Sequence, residues 1–198
     1  FFNDTATTEI YPLSLHDALP ISVDTMKAPV AEAALAAGAS IINDVWGFKR
    51  DPRLAPMAAK HRAAVVLMHN RETIDPTIDI VDDMLRFLEA SLKDALAAGV
   101  SRDKVALDPG IGFGKTLEQN LEALAAIPRL KELGCAVLIG ASRKSMIGKI
   151  IPSETDERLP GTIALHTAAL LKGADVIRVH DVKEAVQAAR VTDRLRGL

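Results

Sequence analysis

Asp108 begins the stretch with the clearest chemical potential, Asp108-Pro-Gly-Ile-Gly-Phe-Gly-Lys-Thr116. A carboxylate ahead of alternating glycines can accept hydrogen bonds while the loop backbone lies close to a ligand. Short acceptors and amides also stand at Asp24 and at Asn43-Asp44, each after a brief apolar run. One Asp or Asn past a strand is often only a turn former. Three such places, with cations on neighbouring segments, point instead to a ligand edge rich in N–H groups. The cations lie in Gly140-Ala-Ser-Arg-Lys-Ser145 and in Val176-Ile-Arg-Val-His-Asp181. The first run offers two hydroxyls and two positive charges to an anion or a carbonyl. In the second, Arg178 and His180 are two apart, which on a strand puts both on one face. A guanidinium there can stack on a flat ring and also bind phosphate oxygens. Together these groups suit a polar planar heterocycle with a phosphate nearby.

Other chemistries fit less well. Gly114-Lys115-Thr116 ends like a phosphate-binding P-loop, but that motif needs four residues between its glycines. Gly110 and Gly114 have three between them, and Pro109 holds the required glycine position. No Ser–His–Asp or Cys–His nucleophile arrangement stands out. His69, Asp108 and His180 are candidate metal ligands, but they lack a His-x-His pair, so a metal site ranks below the heterocycle.

Such groups need a scaffold that gathers strand ends. Strands are expected over 22–25, 40–45, 64–69, 105–108, 136–141 and 176–180. Helices are expected over 28–37, 53–61, about 78–96, from 117, about 157–172 and 182–196. Ile78, Val81, Leu85, Leu88, Leu92 and Leu96 repeat at helical spacing. Ala64-Val-Val-Leu67, like Ala136-Val-Leu-Ile139, is apolar throughout, as in a parallel sheet covered on both faces. Alternating strand–helix units mean a doubly wound sheet or a (β/α)8 barrel. Polar groups at nearly every strand end favour the barrel, whose site is fed by all its strands. The expected fold is therefore an α/β TIM barrel, here incomplete: six units are found and two are missing at the front.

Composition narrows the class. The chain has 198 residues, 48 % hydrophobic and 4 % aromatic, enough for one domain with a full core. A net charge of −2 gives no reason to expect nucleic acid or an anionic membrane as partner. No apolar run reaches the length of a membrane span. Cys135 is the single cysteine, which fits a reducing cytoplasm; among Leu133, Ala136 and Val137 it reads as a buried hydrophobe. Residues 1–21 show neither helical nor strand period and no signal-peptide pattern. They resemble the translation of a sequencing adapter and are expected to be foreign, leaving 22–198 as the one natural domain.

The motifs in order resemble dihydropteroate synthase, a pterin-binding TIM-barrel family. They are Ser22-Val-Asp-Thr25, Ile41-Ile-Asn-Asp44, Leu67-Met-His69, Leu107-Asp-Pro-Gly-Ile-Gly-Phe-Gly-Lys115, Gly140-Ala-Ser-Arg-Lys-Ser-Met-Ile-Gly148 and Ile177-Arg-Val-His-Asp181. The resemblance implies joining of 4-aminobenzoate to 6-hydroxymethyl-7,8-dihydropterin diphosphate, with release of pyrophosphate, in folate biosynthesis. Sulfonamides compete with 4-aminobenzoate in that family. By resemblance, Asp24, Asn43, Met68, Asp108, Gly140, Lys144 and Arg178 bind the pterin. Phe113 and Ser145 line the 4-aminobenzoate pocket. Arg178 and His180 bind the diphosphate, and these two with Lys144 form the catalytic set.

The resemblance also implies Mg²⁺, a homodimer and a cytoplasmic location. The family's Mg²⁺ ligand, an Asn on its first strand, and a Thr-Arg loop after its second have no counterpart in this chain. The chain as written is therefore expected to be inactive or poorly soluble. Two readings stay open beside the synthase: a pterin-binding fragment without activity, and a pterin-dependent corrinoid methyltransferase.

Overall fold

The structure, a computed structural model, describes residues 20–196. Most of the stretch expected to be foreign, residues 1–19, lies outside the described residues. In chain order the elements are β1 (Ser22–Asp24), α1 (Ala28–Ala36), β2 (Ile41–Asp44), α2 (Leu54–Lys60), β3 (Ala64–Met68), α3 (Ile80–Ala97) and β4 (Val105–Asp108). There follow α4 (Leu117–Ala125), α5 (Ile127–Lys131), β5 (Ala136–Ile139), α6 (Ser145–Ile150), α7 (Leu159–Leu171), β6 (Val176–Ile177) and α8 (Val182–Arg196). Strand and helix alternate as the sequence pattern predicts, and the class is α/β.

Two compact units divide the chain. The first takes in the residues up to His69 and Phe87–Ala106; the second takes in Asn70–Arg86 and Leu107 onward. In the first unit β1, β2 and β3 are parallel and lie in chain order. Asp24 pairs in register with Asn43, so two candidate residues are cross-strand neighbours. Val65, Val66, Leu67 and Met68 are all buried, which is the two-sided burial expected of a parallel strand. In the second unit β5 and β6 are parallel, with Ile139 opposite Ile177. Leu107, Ile111, Ile127, Leu130, Val137 and Ile139 are its core side chains.

Three expectations need correction. The last strand ends at Ile177 rather than at residue 180, so Arg178 and His180 stand on the segment after it. The Arg178 N–H still donates to the Ile139 carbonyl at 2.9 Å, but beyond that the chain turns away. Arg178 is exposed, so the apolar run around it does not bury it. The helix from 117 is two helices, because Pro128 cannot continue one and instead starts α5 in its first turn. Residues 145–150, expected as loop, form α6. That helix carries Gly148 and two isoleucines and has no side-chain cap, so burial of Met146 and Ile147 holds it rather than propensity.

His166 on α7 gives the fold a pH dependence. It is 2 % exposed, its Nε2 accepts from the Ala141 N–H at 3.2 Å, and burial lowers its pKa to about 4. The unfolded imidazole takes a proton near its ordinary value of about 6.5, and the folded one resists until about 4. The stabilisation is thus complete above the unfolded value and is lost as pH falls toward the folded one. Between pH 6.5 and 5 this site alone removes about 2 kcal/mol. Urea unfolding should show that loss, and His166→Gln, which keeps an acceptor for Ala141, should flatten it. Parallel pH curves for the two proteins would exclude it.

Candidate active site

The second unit gathers its polar groups around the glycine loop after β4. Asp108 ends a strand whose other residues are apolar, so its carboxyl is fixed at the strand's carboxyl end and is only 7 % exposed. Its Oδ1 accepts from the Gly110 N–H at 2.7 Å. Burial raises its pKa above the ordinary carboxylate range, opposed by the Gly110 hydrogen bond and by the charges of Lys144, Lys115 and Arg178. Gly110, Gly112 and Gly114 all have positive φ, 68°, 83° and 59°. These left-handed positions let the loop wind tightly past the carboxylate.

Lys144 reaches the loop from the segment after β5. Its Nζ donates to the Ile111 carbonyl and sits 4.1 Å from the centre of the Phe113 ring. A Cβ at Gly140 would lie 3.9 Å from the Arg178 Cβ and 4.0 Å from the Asp108 Oδ2, so Gly140 separates those two residues at van der Waals range. Asp108, Gly140, Lys144, Phe113 and Arg178 are therefore one cluster. His180 stands beside it: its Nδ1 is 2.8 Å from the Ser142 Oγ, and its backbone N–H donates to the same oxygen at 3.2 Å. Ser145 is exposed at the start of α6.

Arg143 does not point to a ligand. It forms a two-point pair with Asp181, Nε to Oδ2 at 3.1 Å and Nη2 to Oδ1 at 2.5 Å. Its φ is 57°, and its N–H donates to the Thr162 Oγ1 at 3.0 Å. This pair anchors the turn that presents Ser142 and Lys144.

The first unit has its own cluster. Asn43 is buried, Asp24 is half-buried and Met68 is buried at the end of β3. Asp44, beside Asn43, is fully buried and accepts from the Trp46 and Phe48 N–H groups at 2.9 and 2.7 Å. Burial nonetheless raises its pKa, more than those hydrogen bonds lower it. Asp44 is thus a turn former, as one reading of such residues holds. A cleft of about 660 Å³ in this unit is lined by Met26, Lys27, Trp46, Arg50, Asp51, Pro52 and Arg53, none of them a candidate from the sequence.

Among the described residues no three His, Cys, Asp or Glu side chains form a group that could hold a metal ion. His69 is fully buried and packs edge-on against Phe87, with ring centres 5.2 Å apart. Among the described residues the donors do not fit a resident metal.

Residues 10–180 match the family described as pterin binding enzyme. The chain belongs to that family. The match starts within residues 1–21, the stretch expected to be foreign. The dihydropteroate synthase of Clostridium beijerinckii is 48 % identical over 176 residues, 88 % of this chain and 65 % of that protein. The chain thus spans just under two thirds of that curated relative's length. The solved dihydropteroate synthase of Clostridium difficile, determined in the presence of pteroic acid, is 46 % identical. It superposes with a TM-score of 0.87 over 90 % of this chain and 68 % of its own. The Xanthomonas albilineans enzyme with 4-aminobenzoic acid is 41 % identical, with a TM-score of 0.86 over 91 % of this chain and 66 % of its own. The barrel expected from the strand ends is the fold of these relatives, with six of its eight units among the described residues.

In this member of the family, sequence reasoning missed the groups that shape the glycine loop. Asn120 accepts from the Gly112 N–H at 2.6 Å and donates to the Thr116 carbonyl at 2.6 Å. Lys115 is 4 % exposed and donates to the Gly110 and Phe113 carbonyls at 2.9 and 3.1 Å. Nothing in the local pattern separates these residues from ordinary helix-opening polar groups. Thr116 and Gln119 form a capping box at the start of α4, and the Thr-x-x-Gln spacing is the signal that could have found it.

Proposed function

We propose that the protein is a dihydropteroate synthase. In this reading it joins 6-hydroxymethyl-7,8-dihydropterin diphosphate to 4-aminobenzoate and releases pyrophosphate. The observation that carries it is the buried Asp108 carboxylate beside a glycine loop, with Lys144 and Arg178 as neighbouring cations. The curated relatives at 40–48 % identity carry that name, which supports the reading. So do the pteroic acid and 4-aminobenzoic acid with which two solved relatives were determined.

Each group has a physical task. Asp108 accepts from the pterin's amino and ring N–H groups, a two-point match that selects the heterocycle. Lys144 donates to the ring carbonyl side, Arg178 stacks on the ring, and Gly140 leaves room between Asp108 and Arg178. The family resemblance assigns pterin contacts to Asp24, Asn43 and Met68 as well. Phe113 and Ser145 border 4-aminobenzoate. Its nitrogen forms a bond to the pterin methylene carbon as the carbon–oxygen bond to diphosphate breaks, and the amine then gives a proton to solvent. Arg178 and His180 stabilise the charge gathering on the leaving diphosphate. The Ser142 oxygen orients the His180 ring for that role.

A homodimer and a cytoplasmic location belong to the same reading. Val182, Val191 and Leu195 on α8 are 61, 63 and 53 % exposed, an apolar surface suited to a second copy. No helix among the described residues is long and apolar enough to cross a membrane. The test is isothermal titration of a 7,8-dihydropterin onto the folded chain, followed by an assay for dihydropteroate and pyrophosphate. Saturable binding, with the two products in equal amounts where turnover occurs, is expected. A folded chain that binds no pterin overturns the reading.

A further inference from the structure

We infer that Lys115 is a positioning residue: its ammonium ties the glycine loop closed beside Asp108 and holds that carboxyl in the ionised form a pterin requires. The inference rests on the reading of Asp108 as the pterin acceptor. Lysine is seldom buried, because its head ordinarily reaches water along a flexible stem. Here the whole side chain is 4 % exposed, and the Nζ donates to Gly110 and Phe113, carbonyls at both ends of one tight loop. Gly110 in turn donates its N–H to the Asp108 carboxylate. The path from Lys115 to Asp108 is therefore two hydrogen bonds through a single residue.

Closing the loop does not need the charge. A neutral amine keeps two N–H donors, enough for both carbonyls. What the ammonium adds is its field at Asp108, in surroundings that exclude water and strengthen it. Burial lowers the Lys115 pKa to about 7, so the amine carries its charge below that pH. Asp108 is faced by Lys115, Lys144 and Arg178. Lys115 is faced by Asp108 and Asp83, which favour its charge, and by Lys144 and Arg71, which oppose it. Lys144 and Arg178 belong to the ligand-facing cluster, whereas Lys115 lies under the loop. Its proposed effect on a ligand passes through Asp108.

The test follows the Asp108 carboxyl by ¹³C NMR across pH in the pterin-free chain, assigned with Asp108→Asn, and then measures dihydropterin affinity across the same range. Lys115→Met and Lys115→Gln remove the charge, the second keeping a donor; Lys115→Arg restores it. The Asp108 midpoint is expected to rise by about one pH unit in both uncharged variants, which makes a tenfold loss of affinity below the midpoint. Affinities should converge with the parent at higher pH, and the arginine variant should follow the parent. An unmoved midpoint, or a loss of affinity equal at every pH, overturns the inference. A raised midpoint in a chain that binds no pterin supports the coupling and overturns the pterin reading alone.

Discussion

Asp108→Asn is expected to weaken binding of a 7,8-dihydropterin by about 100-fold or more while leaving the fold intact. The substitution is nearly isosteric. Its amide oxygen can still accept from the Gly110 N–H, the contact that joins β4 to the glycine loop at 2.7 Å. The other half of the side chain changes from acceptor to donor and meets the N–H groups of the pterin, leaving donors opposed in a site that excludes water. Asp108→Ala would be less informative, because it also strips the loop of its acceptor. Acidification gives an independent check. Burial raises the Asp108 pKa, so in the parent pterin affinity is full above the folded-state value and is lost as pH falls through it. The Asn variant should show no such dependence. Titration calorimetry reads the affinity, and a urea midpoint at pH 7 confirms folding. Equal affinity in a folded variant would remove Asp108 from the site.

The alternation of strand and helix was legible because buried parallel strands are uniformly apolar and surface helices are periodic. The starts of the strands at 64, 105, 136 and 176 were legible from apolar runs. The candidate residues of the second unit were legible because a carboxylate, a lysine or an arginine at the end of an apolar run has few structural uses. What remained hidden depended on tertiary context. The run Val176 to His180 reads as strand, yet pairing with β5 ends at Ile177 because β5 itself ends at Ile139. Arg143 and Lys144 look equivalent in sequence. Only the position of Asp181 makes one an anchor and the other a partner of the glycine loop. Lys115 was passed over because a lysine after a glycine loop is ordinarily solvated. Its burial comes from the loop folding over it.

Gly114→Ala is expected to cost about 3 kcal/mol of stability, because backbone conformation and packing both forbid a side chain there. Gly114 has φ 59°, a left-handed position that costs an L-residue roughly 1–2 kcal/mol. A Cβ would stand 2.5 Å from the Arg71 Cβ and 2.5 Å from the Arg71 carbonyl oxygen. A flexible side chain could retreat from such a contact, but a backbone carbonyl moves only with its segment. That segment is held by the pair between Arg71 Nη1 and Asp83 Oδ2 at 2.7 Å. On the other side the loop is held by Asn120, through Gly112, and by the capping box at Thr116. Neither wall yields cheaply. Gly38→Ala is the control, since Gly38 also has positive φ, 109°, with nothing within 4 Å of a Cβ. It should cost only the conformational part, about 1 kcal/mol. The difference between the two variants in urea unfolding then isolates the contact with Arg71. Equal costs would mean that Gly114 is required for its backbone angles alone and that the loop has slack against Arg71. A larger loss in Gly114→Ala, accompanied by weaker pterin binding, would show that the loop's close packing is what holds Asp108 ready.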